Sequence, residues 1–287
     1  FYKHVDLYKV KGIQFSGCDF SVTPVQGVSE WKSAIASNSA GFTVSAICTS
    51  NTTPCSEWDK CTFNGFNSAI HASNSLSNSY TFTVIRAEFT DNICGVQVEN
   101  VDNFSVLFSD FFIGHNAVDD EECEGLDLYA AGYGINSSNA TGFAIEENYF
   151  TKYANAPASI YVGITIAESQ STNQVYRNTF EGLSYGNYAV GKNYAELQEN
   201  GLAYYCNENT GNWQDFTVED RPDEDDGIQD PQGSTEMPAG NTFSANANYH
   251  FNNWDFNDWI GYYYYAPSPG QTNTVYYPEY VNRVTHE

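Results

Sequence analysis

His115, Asp119, Asp120, Glu121, Glu122, Glu124 and Asp127 crowd one acidic stretch, and Asp220, Asp223, Glu224, Asp225, Asp226 and Asp230 crowd a second. Clustered carboxylates offer hard oxygen ligands suited to Ca2+. The candidate metal ligands are therefore Asp119, Asp120, Glu122, Asp223, Asp225 and Asp226, with Ca2+ the only cofactor the chain suggests. A suitably spaced pair of acids could instead hydrolyse a glycosidic bond. The plainer reading is a solvated acidic loop, because acids in a run compete with one another and do not divide the acid and base roles. The second stretch is no EF-hand: counting back from Gly227 puts Pro222 where the first ligand should stand. A lyase would need a basic proton acceptor, yet only Arg86, Arg177, Arg221, Arg283 and seven Lys are present. A strongly acidic groove would also repel polyuronates. No nucleophile–base pair stands out, so no catalytic residue is assigned. Trp254 and Trp259, beside Tyr262–Tyr265, could stack on sugar rings. The duller reading is a buried cap, since the Trp residues alternate with Asn and Asp as strand residues do.

The elements that must position these groups are repeats. Setting Asn148-Tyr149-Phe150 over Asn178-Thr179-Phe180 gives an offset of 30 residues, and the same polar-x-Phe ending recurs at Phe20, Phe63, Phe89, Phe111 and Phe243. Short apolar runs follow several of these: Ser68–Ala72, Gly95–Val98, Gly163–Ile166 and Tyr188–Val190. Their period is that of strands, and the 22–30 residue spacing with no crossover helix means stacked repeats. The pattern predicts an all-β, right-handed parallel β-helix. Phe, Ile and Val should point into its lumen, and corner Asn residues should ladder from coil to coil. At about 4.8 Å per coil, eight or nine coils make a rod of roughly 40 Å. Residues 1–244 read as coils, with acidic insertions near 113–133 and 218–234; residues 245–287 read as an aromatic-rich C-terminal cap or the start of a next module. Ser21–Ser37 is ambiguous between a short helix and an insertion.

Net charge is −25, from 36 acids against 11 bases. That argues against nucleic acid or an anionic membrane surface as partner. No apolar run is long enough to span a bilayer. Seven Cys leave at least one unpaired, and no spacing matches a zinc site. Cys48 and Cys55 bracket a turn and could form a disulfide, whereas Cys18 and Cys61 sit two before a repeat Phe and read as small buried residues. Arg177 lies one repeat from Glu147, which suggests an inter-coil ion pair.

Gly201–Val218, Gly227–Ser234, Pro238–Ser244 and the aromatic text ending Ile260–Tyr265 resemble one group. These are the large secreted right-handed β-helix repeat proteins of Bacteroidota, exported by the type IX secretion system. The resemblance covers roughly the last third of the chain well and the repeats generally. It implies an extracellular or cell-surface location and a longer parent protein with a sorting domain, and it implies little about chemistry. The expected function is a non-catalytic surface module: a rigid spacer, adhesin or filament segment whose partners are other segments of a larger protein, or glycans. The alternatives are a polysaccharide hydrolase or lyase and a carbohydrate-binding module.

Overall fold

The computed structural model describes residues 3–22, 33–75, 80–115, 130–197, 199–219, 227–253, 260–265, 278 and 281–286. The first coil runs β1 (Lys3–Tyr8), β2 (Ile13–Ser16) and β3 (Asp19–Ser21). The second has β4 (Ser33–Asn38), β5 (Phe42–Ser45), an inserted hairpin of β6 (Ile47–Cys48) and β7 (Trp58–Asp59), then β8 (Cys61–Asn64). The third has β9 (Ser68–Ser73), β10 (Phe82–Ile85) and β11 (Ala87–Asn92); the fourth has β12 (Cys94–Glu99), β13 (Ser105–Leu107) and β14 (Asp110–Ile113). The fifth has β15 (Gly132–Ser138), β16 (Ala144–Glu146) and β17 (Tyr149–Lys152); the sixth has β18 (Tyr161–Ala167), β19 (Asn173–Tyr176) and β20 (Thr179–Glu181). The seventh has β21 (Tyr185–Val190), β22 (Leu202–Tyr205) and β23 (Glu208–Thr210), and β24 (Gln214–Glu219) opens the eighth. The chain continues through β25 (Tyr249–Asn253), β26 (Gly261–Tyr265) and β27 (Asn282–His286).

The first strand of every coil joins a nine-stranded sheet, and the second and third strands join two seven-stranded sheets. All pairings in the three are parallel, each strand lying on the corresponding strand of the next coil; this is a parallel β-helix. The Phe register is the expected one: Phe111 pairs with Phe150 and Phe150 with Phe180. The Ser33–Ser37 part of the ambiguous segment is neither helix nor insertion; it is strand β4 of the long sheet.

Three devices hold one coil on the next. The first is the lumen ladder. Phe20, Phe63, Phe89, Phe111, Phe150 and Phe180 stack at centroid distances of 5.0, 4.8, 4.5, 4.7 and 5.0 Å, within 13° of parallel. The rung spacing of a parallel sheet sets that distance, so each ring meets its copy in offset contact. The long sheet must make room for the rings. A Cβ on Gly134 or Gly163 would come within 2.6 or 2.7 Å of the Phe150 or Phe180 ring, so glycine is required by close approach.

The second device is an amide ladder at the corner between the second and third sheets. The Oδ1 atoms of Asn148, Asn178, Asn207 and Asn241 accept from the backbone N–H of Ser109, Asn148, Asn178 and Asn207 at 2.9–3.0 Å. Each Nδ2 donates to a carbonyl of the preceding coil, at Val106, Ile145, Val175 and Tyr204. Every buried polar group of this corner is thereby satisfied. Ser109 and Cys61 hold the same place lower down, where the Cys18 N–H lies 3.3 Å from Cys61 Sγ.

The third device is the residue just before that column. Gly17, Arg86, Phe108, Glu147, Arg177 and Cys206 all have φ between 53 and 55°. This left-handed residue turns the chain from the second sheet to the third. On the outside of the corner, Arg86 lies between the Trp58 and Phe108 rings at 4.4 and 4.6 Å, and Arg177 pairs with Glu147 at 3.1 Å. The inserted hairpin is closed by the Cys48–Cys55 disulfide.

Of the described part of 245–287, β25 extends the long sheet, whereas β26 and β27 form a separate two-stranded sheet. β25 pairs in parallel with β24, Phe251 stacks on Phe216 at 5.1 Å, and β26 pairs in parallel with β27.

Candidate functional site

Alternation along the long sheet assigns its two faces. Ile70, Val96, Ile135 and Ile164 share one register column and belong to the lumen core. The neighbouring column faces outward: His71, Gln97, Asn136, Thr165, Tyr188, Thr217 and Asn252. Two residues further along each strand, Ser73, Glu99, Ser138, Ala167, Val190 and Glu219 form a second outward column. The face therefore collects residues 23 to 39 apart in sequence into rows that run across the strands.

Over the fourth and fifth coils these columns border a groove of about 330 Å3, lined by Gln97, Glu99, Asn100, Asn136, Ser138 and Asn139. His71 Nε2 lies 3.2 Å from Glu99 Oε1, and Gln97 Nε2 donates to the same oxygen at 3.0 Å. The adjoining His71 imidazole holds the Glu99 carboxyl below its ordinary 4.5, assisted by Gln97 and opposed by burial. Asn100 and Asn139 occupy left-handed corners with φ of 57 and 51°, a conformation Asn tolerates better than most residues. The groove thus offers amide donors and acceptors, a hydroxyl and one ionised carboxylate. That set suits a hydroxyl-rich ligand better than an anion.

Further along the same face the chemistry turns aromatic. Tyr133, Val162, Tyr185 and Tyr188 form an apolar cluster separate from the lumen. Tyr185 meets Tyr188 and Trp213 edge-on at 5.2 and 5.7 Å, and Trp213 is 51% exposed. The Tyr188 hydroxyl donates to Glu219 Oε2 at 2.7 Å, and burial first, then this carboxylate, pushes its ionisation well up.

Glu99 and Glu219 stand in one column four strands apart. At 4.7–4.9 Å per strand their separation is roughly 19 Å. Glycosidase carboxyl pairs sit at about 5–9.5 Å. Each is also engaged locally, Glu99 by His71 and Gln97 and Glu219 by Tyr188.

Asp119, Asp120, Glu122, Asp223, Asp225, Asp226, Trp254 and Trp259 lie outside the described residues. Both acidic segments are bounded in sequence by described strands. The first lies between Ile113, which ends β14, and Gly132, which opens β15; the second follows Glu219, which ends β24. Two flanking members of those stretches have structural partners. His115 Nδ1 is 3.2 Å from Asp91 Oδ1, and Asp230 Oδ1 accepts from the Gly261 N–H at 2.8 Å. Among the described residues, no three His, Cys, Asp or Glu side chains converge as a metal site. Among the described residues, no helix is long and apolar enough to cross a membrane.

The groove residues and Trp213 escaped the sequence reading, which sought runs of like residues. A signal existed: once the Phe register is set, Gln97, Asn136 and Thr165 fall into one column. No protein-family model, curated protein or solved structure matches this chain.

Proposed function

We propose that this chain is a non-catalytic extracellular module, a rigid structural or adhesive segment of a larger surface protein that meets glycans on the outer face of its long sheet. The observation that carries the reading is the composition of that face. A polar groove around Gln97, Glu99 and Asn136 and an aromatic patch around Tyr185 and Trp213 share one face, and the two carboxylates Glu99 and Glu219 beside them are four strands apart. Amide and hydroxyl groups beside an exposed indole suit sugar hydroxyls and ring faces. The ladders favour rigidity, since the sheets tie each described coil to the next, with the ring column to Phe180 and the amide column from Asn148 to Asn241 beside them. The likeness of the last third to the secreted β-helix proteins of Bacteroidota supports a place outside the cell, and with it a longer parent chain.

A polysaccharide hydrolase or lyase is the second reading, favoured by the carboxylates that crowd Asp119–Asp127 and Asp220–Asp226 in the sequence. A glycan array joined to a depolymerisation screen, with and without calcium, separates the readings. The module should bind without releasing reducing ends or unsaturated uronate, and Trp213→Ala should weaken binding about tenfold. Turnover abolished by Asp119→Asn or Asp120→Asn would establish the enzyme instead.

A further inference from the structure

Through the sixth coil the inward positions repeat with little change. In the seventh, three columns change together. Asn209 takes the place of Phe180, Asn187 that of Ile164, and Tyr204 that of Val175. The exchange conserves bulk: the aromatic ring leaves the third sheet and reappears on the second. A Cβ on Gly163 would strike the Phe180 ring, whereas a Cβ on Gly186 would lie 2.9 Å from Asn209 Oδ1. Asn209 therefore stands where the ring would be.

The new polar groups fare differently. Asn209 is satisfied: its Nδ2 donates to the Thr242 carbonyl at 2.9 Å and its Oδ1 accepts from Asn212 Nδ2 at 3.3 Å. Asn187 is 1% exposed, and neither its Oδ1 nor its Nδ2 has a protein partner; the Tyr204 hydroxyl, on a side chain also 1% exposed, has none either. An amide and a hydroxyl stranded in an apolar interior carry a large desolvation cost. Both side chains border Phe216. Asn187 pairs with it in register, and the Tyr204 ring rests on it at 5.0 Å. They approach it from two sheets of the same coil, so both side chains enter one lumen.

We infer that the lumen of the seventh coil is a hydration site, in which an ordered water bridges the Asn187 amide and the Tyr204 hydroxyl. Water both donates and accepts, so one molecule serves an amide and a hydroxyl together. Buried waters in proteins commonly make about three such bonds. The site lies where the ring column of the third sheet ends, and rings return above it at Phe216, Phe243 and Phe251.

The test pairs crystallography with a double-mutant cycle in the full chain. Density should show a water within hydrogen-bond distance of both Asn187 and Tyr204 Oη. Tyr204→Phe should remove that water and lower the melting temperature by about 2 °C. If the lumen is dry, the same substitution deletes an unpartnered hydroxyl and raises the melting temperature. Asn187→Ile, which restores the Ile164 residue type, keeps the question decidable if Tyr204→Phe repacks. A shared water makes the effects of the two substitutions non-additive. Additive effects, a dry lumen or a direct Asn187–Tyr204 hydrogen bond would each overturn the inference.

Discussion

The first six coils and those that follow use the same three sheets but fill them by different rules. Below the seventh coil the lumen is a column of six rings, Phe20 to Phe180, each within 5.0 Å of the next. From the seventh coil upward, Asn209, Asn212, Asp215 and Ser244 form a buried polar network beside the Phe216, Phe243 and Phe251 rings, and Asp215 accepts from Ser244 N–H, Ser244 Oγ and Asn212 Nδ2 at 2.8, 2.7 and 3.1 Å. The corner amide ladder crosses this boundary unbroken, from Asn178 to Asn207 to Asn241. Coil geometry is therefore carried across the change by the corner. The lumen need only be full and satisfied, and rings or hydrogen-bonded amides serve equally well.

The largest break in that comparison should come from Phe150→Ala. It opens a ring-sized hole with Phe111 below and Phe180 above, and should cost about 3–5 kcal/mol in denaturant unfolding. Next is Asn178→Ala. Asn178 accepts from Asn148 N–H and donates to the Ile145 carbonyl, both buried. Stranding them should cost about 2–3 kcal/mol. If the corner carries the geometry, this loss should be no smaller for Asn207→Ala, at the boundary itself. A negligible Asn207 effect would mean that the upper coils are held by their lumen after all.

A smaller, pH-dependent difference concerns the two regions' acids. Burial is the main influence on the Asp215 carboxyl and raises it above its ordinary 3.8, against the Ser244 and Asn212 hydrogen bonds. A carboxyl with a raised folded value binds its proton more readily when folded. Its contribution thus favours the fold at low pH and is lost as pH rises from 3.8 through the raised value. Acidification across that window should move the melting temperature of the wild type upward relative to Asp215→Asn; the opposite movement would show that hydrogen bonding outweighs burial. Glu99 should behave in the opposite sense and more weakly. Its folded value is lowered by His71, so its contribution is present above 4.5 and disappears as pH falls through the lowered value. This half-exposed pair should be worth at most about 0.5 kcal/mol, and His71→Ala should remove the acid-side slope.

Much of the lower region was legible in the sequence because its rule is literal repetition. Phe63, Phe89, Phe111, Phe150 and Phe180 announce their own register, and Asn148 and Asn178 their own ladder. The seventh coil was not legible, because its rung reads Asn207-Glu208-Asn209 and lacks the Phe that marks the others. β23 becomes visible only through its pairing with β20. Strand β4 was hidden for a related reason: an apolar-small run such as Ser33–Ser37 suits helix or strand until a neighbour supplies hydrogen bonds. The groove lay in the direction sequence reads worst. Gln97 and Asn136 are adjacent rungs but 39 residues apart, and only the stacking of coils turns such distances into neighbours.

The left-handed corner has a further consequence. Gly17, Arg86, Phe108, Glu147, Arg177 and Cys206 share a backbone angle and nothing else; charge, size and polarity all differ. Their amide protons bond to the next coil, as Arg86 N–H does to Leu107 O and Arg177 N–H to Tyr205 O. Their side chains leave the coil. The solenoid thus carries along one edge a column of positions, about 4.8 Å apart, whose identities the core does not dictate. That edge can be rewritten one letter at a time while the fold stays the same, so its charge and polarity are free to vary without renegotiating stability.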